Sequence, residues 1–283
     1  MIAASAGFSR GPARLARLVL RAAAWELRKV AAFRAGFWLK EVFRNLARPL
    51  VMVCVLLSAS GLPQGVAGDG VSLQHAVAYM VVVALLEKLV FHDRCLDLSD
   101  QIFQGYVTKY FTMPFPYFVL PAGRFVQHIV LQAAIVAPAW AALSLLAPRW
   151  CPPPADWSSA AMALLLVLLG SACFLLFYFT LHALAFWLDV VWTTLVMARM
   201  IALFCGGMVL PPMFLPERVQ AVFAWTFPWW TVAMPVQLAA GSPAARAEFG
   251  RGVATLAAWL AALSLLAAFV WARGRRRYAG SGM

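Results

Sequence analysis

The stretch SSAAMALLLVLLGSACFLLFYFTLH, residues 158–182, contains no Asp, Glu, Lys or Arg, and it decides the fold class. An apolar run of about 18 or more residues is long enough to cross a bilayer as a helix. Only helices and closed barrels satisfy every backbone hydrogen bond in lipid, and this run is too long and continuous for a barrel strand. The stretch therefore predicts a transmembrane helix.

The composition agrees with a membrane protein. Hydrophobic residues make up 64% of the 283 residues and charged residues only 12%, whereas soluble proteins carry roughly 25% charged residues. The net charge of +12 is concentrated in residues 1–48 and in the C-terminal cluster Arg273, Arg275, Arg276 and Arg277. Basic residues that flank membrane spans mark cytoplasmic segments and attract anionic lipid. With no separate basic domain, the charge gives no support for binding to nucleic acid.

Further apolar runs extend the pattern to about six transmembrane helices in an all-α, polytopic protein. The predicted spans are residues 37–61, 71–91, 117–146, 158–182, 185–210 and 252–271. Residues 211–251 hold many Pro and Trp but few charges, so we expect a broken or re-entrant outer segment between the fifth and sixth spans.

The chain divides into three predicted parts. Residues 1–36 form a tail and an amphipathic helix at the membrane interface, residues 37–273 the transmembrane domain, and residues 274–283 a basic tail. In residues 13–34, helical spacing separates a face of four arginines from an apolar face. The arginines are Arg14, Arg17, Arg21 and Arg28. Such a helix is expected to lie on lipid headgroups.

Basic residues also enter the first predicted span. Lys40, Arg44 and Arg48 repeat every four residues and therefore share one helix face. One interpretation is that they extend towards the cytoplasmic headgroups. The other is a polar wall that faces an internal vestibule or an anionic substrate.

The distribution of charge predicts the orientation. Six crossings place both termini on one side, and Lys and Arg are more frequent in the segments on that side. By the positive-inside rule, both termini are then cytoplasmic in a multi-pass protein of the cell (inner) membrane.

Arg199 lies about 15 Å into the fifth predicted span. An arginine at that depth usually faces a bundle interior, a cavity or a partner. The sequence leaves open a functional or subunit-interface role, a pairing with another helix, and a misplaced span boundary. The four histidines are dispersed without carboxylates or cysteines at metal-ligand spacing, so no metal site is expected.

Three motifs carry a resemblance to a known family. The first motif is Ile102-Phe103-Gln104-Gly105, with Pro114 beyond it. The second is Gly206-Gly207, followed by Pro211, Phe214 and Pro216. The third is the C-terminal stretch Trp271-Ala272-Arg273-Gly274-Arg275, with Gly280 and Gly282. In this order they resemble the ABC-2-type permease family, in particular a branch of uncharacterised exporter permeases. Phe103 and Met113 stand where that branch carries arginines.

The resemblance implies the permease subunit of an ATP-binding-cassette exporter. The chain contains no Gly-x-x-x-x-Gly-Lys-Ser/Thr phosphate loop, so it is not expected to be an enzyme or to hold a cofactor. ATP and magnesium would be bound by a separate ATPase subunit, and a second copy or a related permease would complete the pathway.

Force from an ATPase would have to enter through a rigid cytoplasmic element. Residues 96–111 have roughly helical spacing of apolar side chains, which makes them the candidate coupling helix, although an ordinary surface helix is the alternative. The expected ATPase contacts are Asp97, Asp100, Ile102, Phe103, Gly105 and Tyr106.

Other functions predict features that this sequence lacks. An ion-coupled secondary transporter or channel would carry several intramembrane acidic or histidine residues and often an internal repeat. A membrane-embedded enzyme would need clustered catalytic side chains. A purely structural or assembly subunit is the remaining alternative.

Overall fold

A computed structural model describes residues 12–32, 73–91, 96–111, 116–148 and 151–278, and no strand occurs among them. The α-helices are α1 (Pro12–Ala32), α2 (Leu73–Val90), α3 (Leu98–Phe103), α4 (Thr108–Phe111), α5 (Val119–Leu146), α6 (Trp157–Ala183), α7 (Trp192–Cys205), α8 (Glu217–Phe223), α9 (Met234–Ala239) and α10 (Pro243–Arg277). The all-α prediction is therefore confirmed for the described part of the chain.

Three described helices are long and apolar enough to cross a membrane: Val119–Leu146, Trp157–Phe186 and Pro243–Arg277. They confirm the third, fourth and sixth predicted spans as helices. The second span corresponds to α2, whose 18 residues extend about 27 Å, close to the ~30 Å hydrocarbon core. The predicted first span, residues 37–61, lies outside the described residues.

The fifth predicted span, residues 185–210, is wrong in its length. The helix there, α7, has 14 residues and extends about 21 Å, less than the ~30 Å hydrocarbon core. A 3-10 turn, Leu184–Phe186, continues α6 first and delays the start of α7. After α7, Gly207 adopts φ of 70°, a left-handed conformation that ends helices.

The sixth span begins earlier than the predicted residue 252. Its helix, α10, runs over Pro243–Arg277. Ser242 caps it by accepting a hydrogen bond from the Ala245 amide, and Pro243 suits the first helical position. Charged side chains in the first turns of α10 lower the local hydropathy, which explains why hydropathy alone misplaced the start.

Between α7 and α10 the chain is broken into short elements, as the sequence predicted. A 3-10 turn at Pro212–Phe214 and helix α8 precede a π-helical turn at Trp229–Ala233, which continues directly into α9. The π turn and α9 pack against α6. This part of the segment therefore lies inside the bundle.

Two glycines let the π turn approach its neighbours. A Cβ on Gly170 of α6 would overlap with Thr231 Oγ1, and one on Gly252 of α10 would lie 2.5 Å from the Trp230 ring. Trp230 is fully buried, and its indole N–H donates to the Ala224 carbonyl at 2.7 Å. The missing side chains at 170 and 252 thus create the space for the π turn.

A polar contact joins α6 to α10 near their adjacent ends. Asp156 caps α6 by accepting from the Ser159 amide at 2.7 Å, and it also forms an ion pair with Arg246 of α10. Arg246 Nε donates to Ser159 Oγ at 2.9 Å. This contact fixes where α10 starts relative to α6.

At the other end of these helices lies the basic end of the bundle, which we define by Lys88, Lys109, Arg124 and the cluster Arg273–Arg277. Hydrogen bonds bring its elements together: His128 Nε2 lies 2.9 Å from the Lys88 carbonyl oxygen, joining α5 to α2. The segment of residues 96–111 also lies at this end, since Ser99 contacts His182 near the end of α6.

The amphipathic helix predicted over residues 13–34 is confirmed as α1, Pro12–Ala32. Its arginine face is exposed, as predicted. Its opposite face packs against α5, where a Cβ on Gly123 would lie 2.5 Å from Ala22 Cβ. The helix is therefore attached to the bundle through a glycine-mediated close contact.

Candidate functional site

The segment of residues 96–111 consists of two short helices, α3 and α4, and not the single helix that the sequence predicted. Gly105 lies between them with φ of 76°, a conformation that glycine adopts readily and other residues rarely. After the break, the Val107 amide donates to the Gln101 carbonyl at 3.0 Å. The segment is therefore folded back on itself at Gly105.

Apolar side chains anchor the segment to the bundle. Leu98 and Val107 are fully buried, and Ile102 is nearly so. The sequence placed Ile102 among the partner contacts, but in this structure its side chain lies in the protein interior. Gly105 has a conformational role through its positive φ.

A buried hydrogen bond joins α3 to the end of α6. Ser99 Oγ lies 2.8 Å from His182 Nδ1, and both side chains are buried. A second link runs from Tyr117, whose hydroxyl donates to Gln101 Oε1 at 3.3 Å. Helix α3 is thus joined to the end of α6 and to Tyr117, two residues before the start of α5.

Arg124 of α5 connects the segment to the amphipathic helix. Its Nη1 lies 2.8 Å from Asp97 Oδ2, and its Nε lies 3.7 Å from Glu26 Oε1 of α1. Asp97 was predicted to contact a partner, and its pairing with Arg124 was not predicted. Two features of the sequence could have suggested this pair: Arg124 lies near the start of a predicted span, and acidic residues occur in the segment before it.

We expect Arg124→Gln to loosen the segment without unfolding the bundle. The Arg124–Asp97 pair is partly exposed, and such pairs contribute about 1 kcal/mol or less. Amide hydrogen exchange of residues 96–111 should accelerate up to about five-fold, since local opening follows local stability. Hydrogen-exchange mass spectrometry of the detergent-solubilised protein measures this change.

The matched control is Arg251→Gln, which removes an ion pair with Glu248 inside α10. This variant should leave exchange in residues 96–111 unchanged. Equal exchange rates there in Arg124→Gln and in the unmodified protein would contradict the assigned connection.

One face of the segment is open to solvent. Asp100 and Gln104 are exposed, and the side chains of Phe103 and Tyr106 are 38% and 59% exposed. Aromatic residues are enriched where proteins bind each other. We name Asp100, Phe103, Gln104 and Tyr106 the exposed face of the segment.

Arg199 of α7 pairs with another helix, which was one of the open alternatives. Its Nη2 lies 3.7 Å from Glu87 Oε1 of α2, and its guanidinium carbon lies 5.1 Å from the Phe91 ring centroid. The Glu87 side chain is only 4% exposed. A buried carboxylate needs a partner of this kind. Arg44 and Arg48 lie outside the described residues.

Comparison with known proteins gives one match. A family model described as "ABC-2 family transporter protein" matches residues 62–282, most of the 283-residue chain. The match includes the segment of residues 96–111, the broken segment and α10. No curated protein and no solved structure matches.

Proposed function

We propose that this chain, which belongs to the ABC-2 family of transporter proteins, is the membrane-spanning permease subunit of an exporter driven by a separate ATPase subunit. The permease-type membrane component follows from the family. The partnership, the outward direction and the ATP dependence are the proposal.

The exposed face of residues 96–111 is the observation that carries this proposal. An ATPase that drives transport needs a contact surface that is open to a partner and firmly joined to the membrane helices. Phe103 and Tyr106 supply the open surface. Ser99 and Asp97 join the same segment to α6 and α5. Motion applied to the segment would therefore reach two helices of membrane-crossing length.

The remaining parts of the proposal concern the assembly. The sequence lacks a phosphate loop, so ATP and magnesium are assigned to the partner subunit. The resemblance to ABC-2-type permeases implies a paired assembly, so a second copy of this chain or a related permease would complete the transport pathway. The basic end is placed at the cytoplasmic face of the cell (inner) membrane, in keeping with the positive-inside rule.

The test is co-expression of the affinity-tagged full chain with the ATPase subunit encoded nearest to its gene. We expect the two to co-purify and to hydrolyse ATP, and we expect a partner variant without its phosphate-loop lysine to co-purify without hydrolysis. Orientation is tested in parallel: Arg276→Cys should react with a membrane-impermeant maleimide only after the cells are opened. Purification of the chain without any ATPase, together with transport that needs only an ion gradient, would favour an ion-coupled transporter.

A further inference from the structure

A cavity of about 590 Å³ opens at the basic end, between α6, α10 and residues 116–118. Its apolar and aromatic lining comprises Tyr117, Leu176, Phe179, Ala267, Ala268 and Trp271. The helices α6 and α10 both have membrane-crossing length and composition. The cavity therefore lies between two candidate membrane-spanning helices, at their basic end.

Stacked aromatic rings form one wall of the cavity. The Tyr117 ring stacks on the Trp271 ring at a centroid distance of 5.0 Å, and the Tyr110 ring meets Tyr117 edge-on at 4.8 Å. Lys109 Nζ lies 4.9 Å from the Tyr110 ring centroid. The aromatic wall thus extends from the apolar interior of the cavity to the ammonium group of Lys109.

Among the described residues that line the cavity, Arg275 is the only one with a charge. No described carboxylate pairs with it, and its guanidinium is exposed. Arg276 and Arg277 in the last turn of α10, and Arg273 just before that turn, add positive charge nearby. The surroundings therefore favour an anion at Arg275 and an apolar group deeper inside.

We propose that this cavity binds one anionic phospholipid of the adjacent leaflet, with its phosphate at Arg275 and an acyl chain between Leu176, Phe179 and Ala268. Basic pockets between transmembrane helices recognise the headgroups of anionic lipids. A free anion would use Arg275 but would leave the apolar interior empty, whereas a lipid matches both parts. The lipid site rests on the proposed function in one respect only, namely that the adjacent leaflet is the cytoplasmic one.

Native mass spectrometry of the detergent-purified full chain, titrated with phosphatidylglycerol or phosphatidylcholine, tests this site. Arg275→Gln should weaken phosphatidylglycerol binding about five-fold, the effect of one basic residue at a membrane surface. Ala268→Phe should fill the apolar part and reduce the binding of both lipids. Their matched controls are Arg251→Gln, near the opposite end of α10, and Ala261→Phe, both of which change exposed α10 residues outside the lining of this cavity.

The expected result is a preference for phosphatidylglycerol that Arg275→Gln and Ala268→Phe reduce and the two controls retain. Equal losses in variants and controls, or no preference between the lipids, would overturn the proposal. Protection against thermal unfolding by inorganic phosphate as strong as that by phosphatidylglycerol would show an anion site only, and would overturn it as well. Co-purification with the ATPase separates the two proposals, since intact assembly without lipid binding refutes only the lipid site.

Discussion

Gly252→Ala is expected to destabilise the bundle, although alanine is the better helix former. The new Cβ would lie 2.5 Å from the Trp230 ring, closer than real contacts allow. Trp230 cannot move aside easily, because it is fully buried and its N–H is bonded to Ala224. Overpacking of this kind costs about 1–3 kcal/mol. Thermal unfolding of the purified protein in detergent should show a lower midpoint.

Gly250→Ala is the matched control for this prediction. It lies two residues away in the same helix, and a Cβ there would meet nothing within 4 Å. Helix propensity then acts alone and should raise stability by up to about 1 kcal/mol. The two substitutions are thus expected to change the stability of the folded protein in opposite directions. A stabilising Gly252→Ala would mean that α10 and the π turn are not in close contact.

Phe103→Asp is expected to abolish stable association with the proposed ATPase subunit while leaving the permease folded. Phe103 is exposed and is neither in the buried core cluster nor packed against it, so the fold should survive its replacement. At a protein interface, loss of a central aromatic residue costs at least about 2 kcal/mol, or roughly 30-fold in affinity. Co-purification of the ATPase with the tagged permease measures association, and thermal unfolding measures the fold.

Two further variants make this test specific. Arg218→Asp changes an exposed residue of α8, away from residues 96–111, and should retain the ATPase. Phe103→Leu keeps an apolar side chain and should restore part of the association. If Phe103→Asp retains the ATPase as fully as Arg218→Asp does, the contact surface has been placed on the wrong residues.

Hydropathy predicted the long helices well because the information is local. The ends of α5 and α6 fall within two residues of the predicted spans. It failed at α10, whose first turns carry charges yet remain helical because Ser242 and Pro243 start the helix. It also failed at α7, where Gly207 ends the helix through its backbone conformation. At these boundaries, helix-capping residues and a glycine in the left-handed conformation therefore determine where the helix begins or ends more than average polarity does.

The candidate site was predictable in position but not in its connections. Spacing indicated the segment of residues 96–111 and its aromatic side chains. Its attachment depends on pairs far apart in the chain: Ser99 with His182, and Asp97 with Arg124. Pairing with another helix was one of three alternatives for Arg199, and nothing local in the sequence identified Glu87 as the partner. Such pairs are set by the packing of helices, which a single sequence does not specify.

The position of Arg124 between two carboxylates has a thermodynamic consequence. Asp97 and Glu26 share one guanidinium, at 2.8 and 3.7 Å. Any partner that draws Asp97 away leaves Arg124 to pair more strongly with Glu26, and a shift of α1 has the converse effect on Asp97. Linkage of this kind is reciprocal by necessity. Contacts made by Asp97 and movements of α1 would therefore influence each other through the single guanidinium of Arg124.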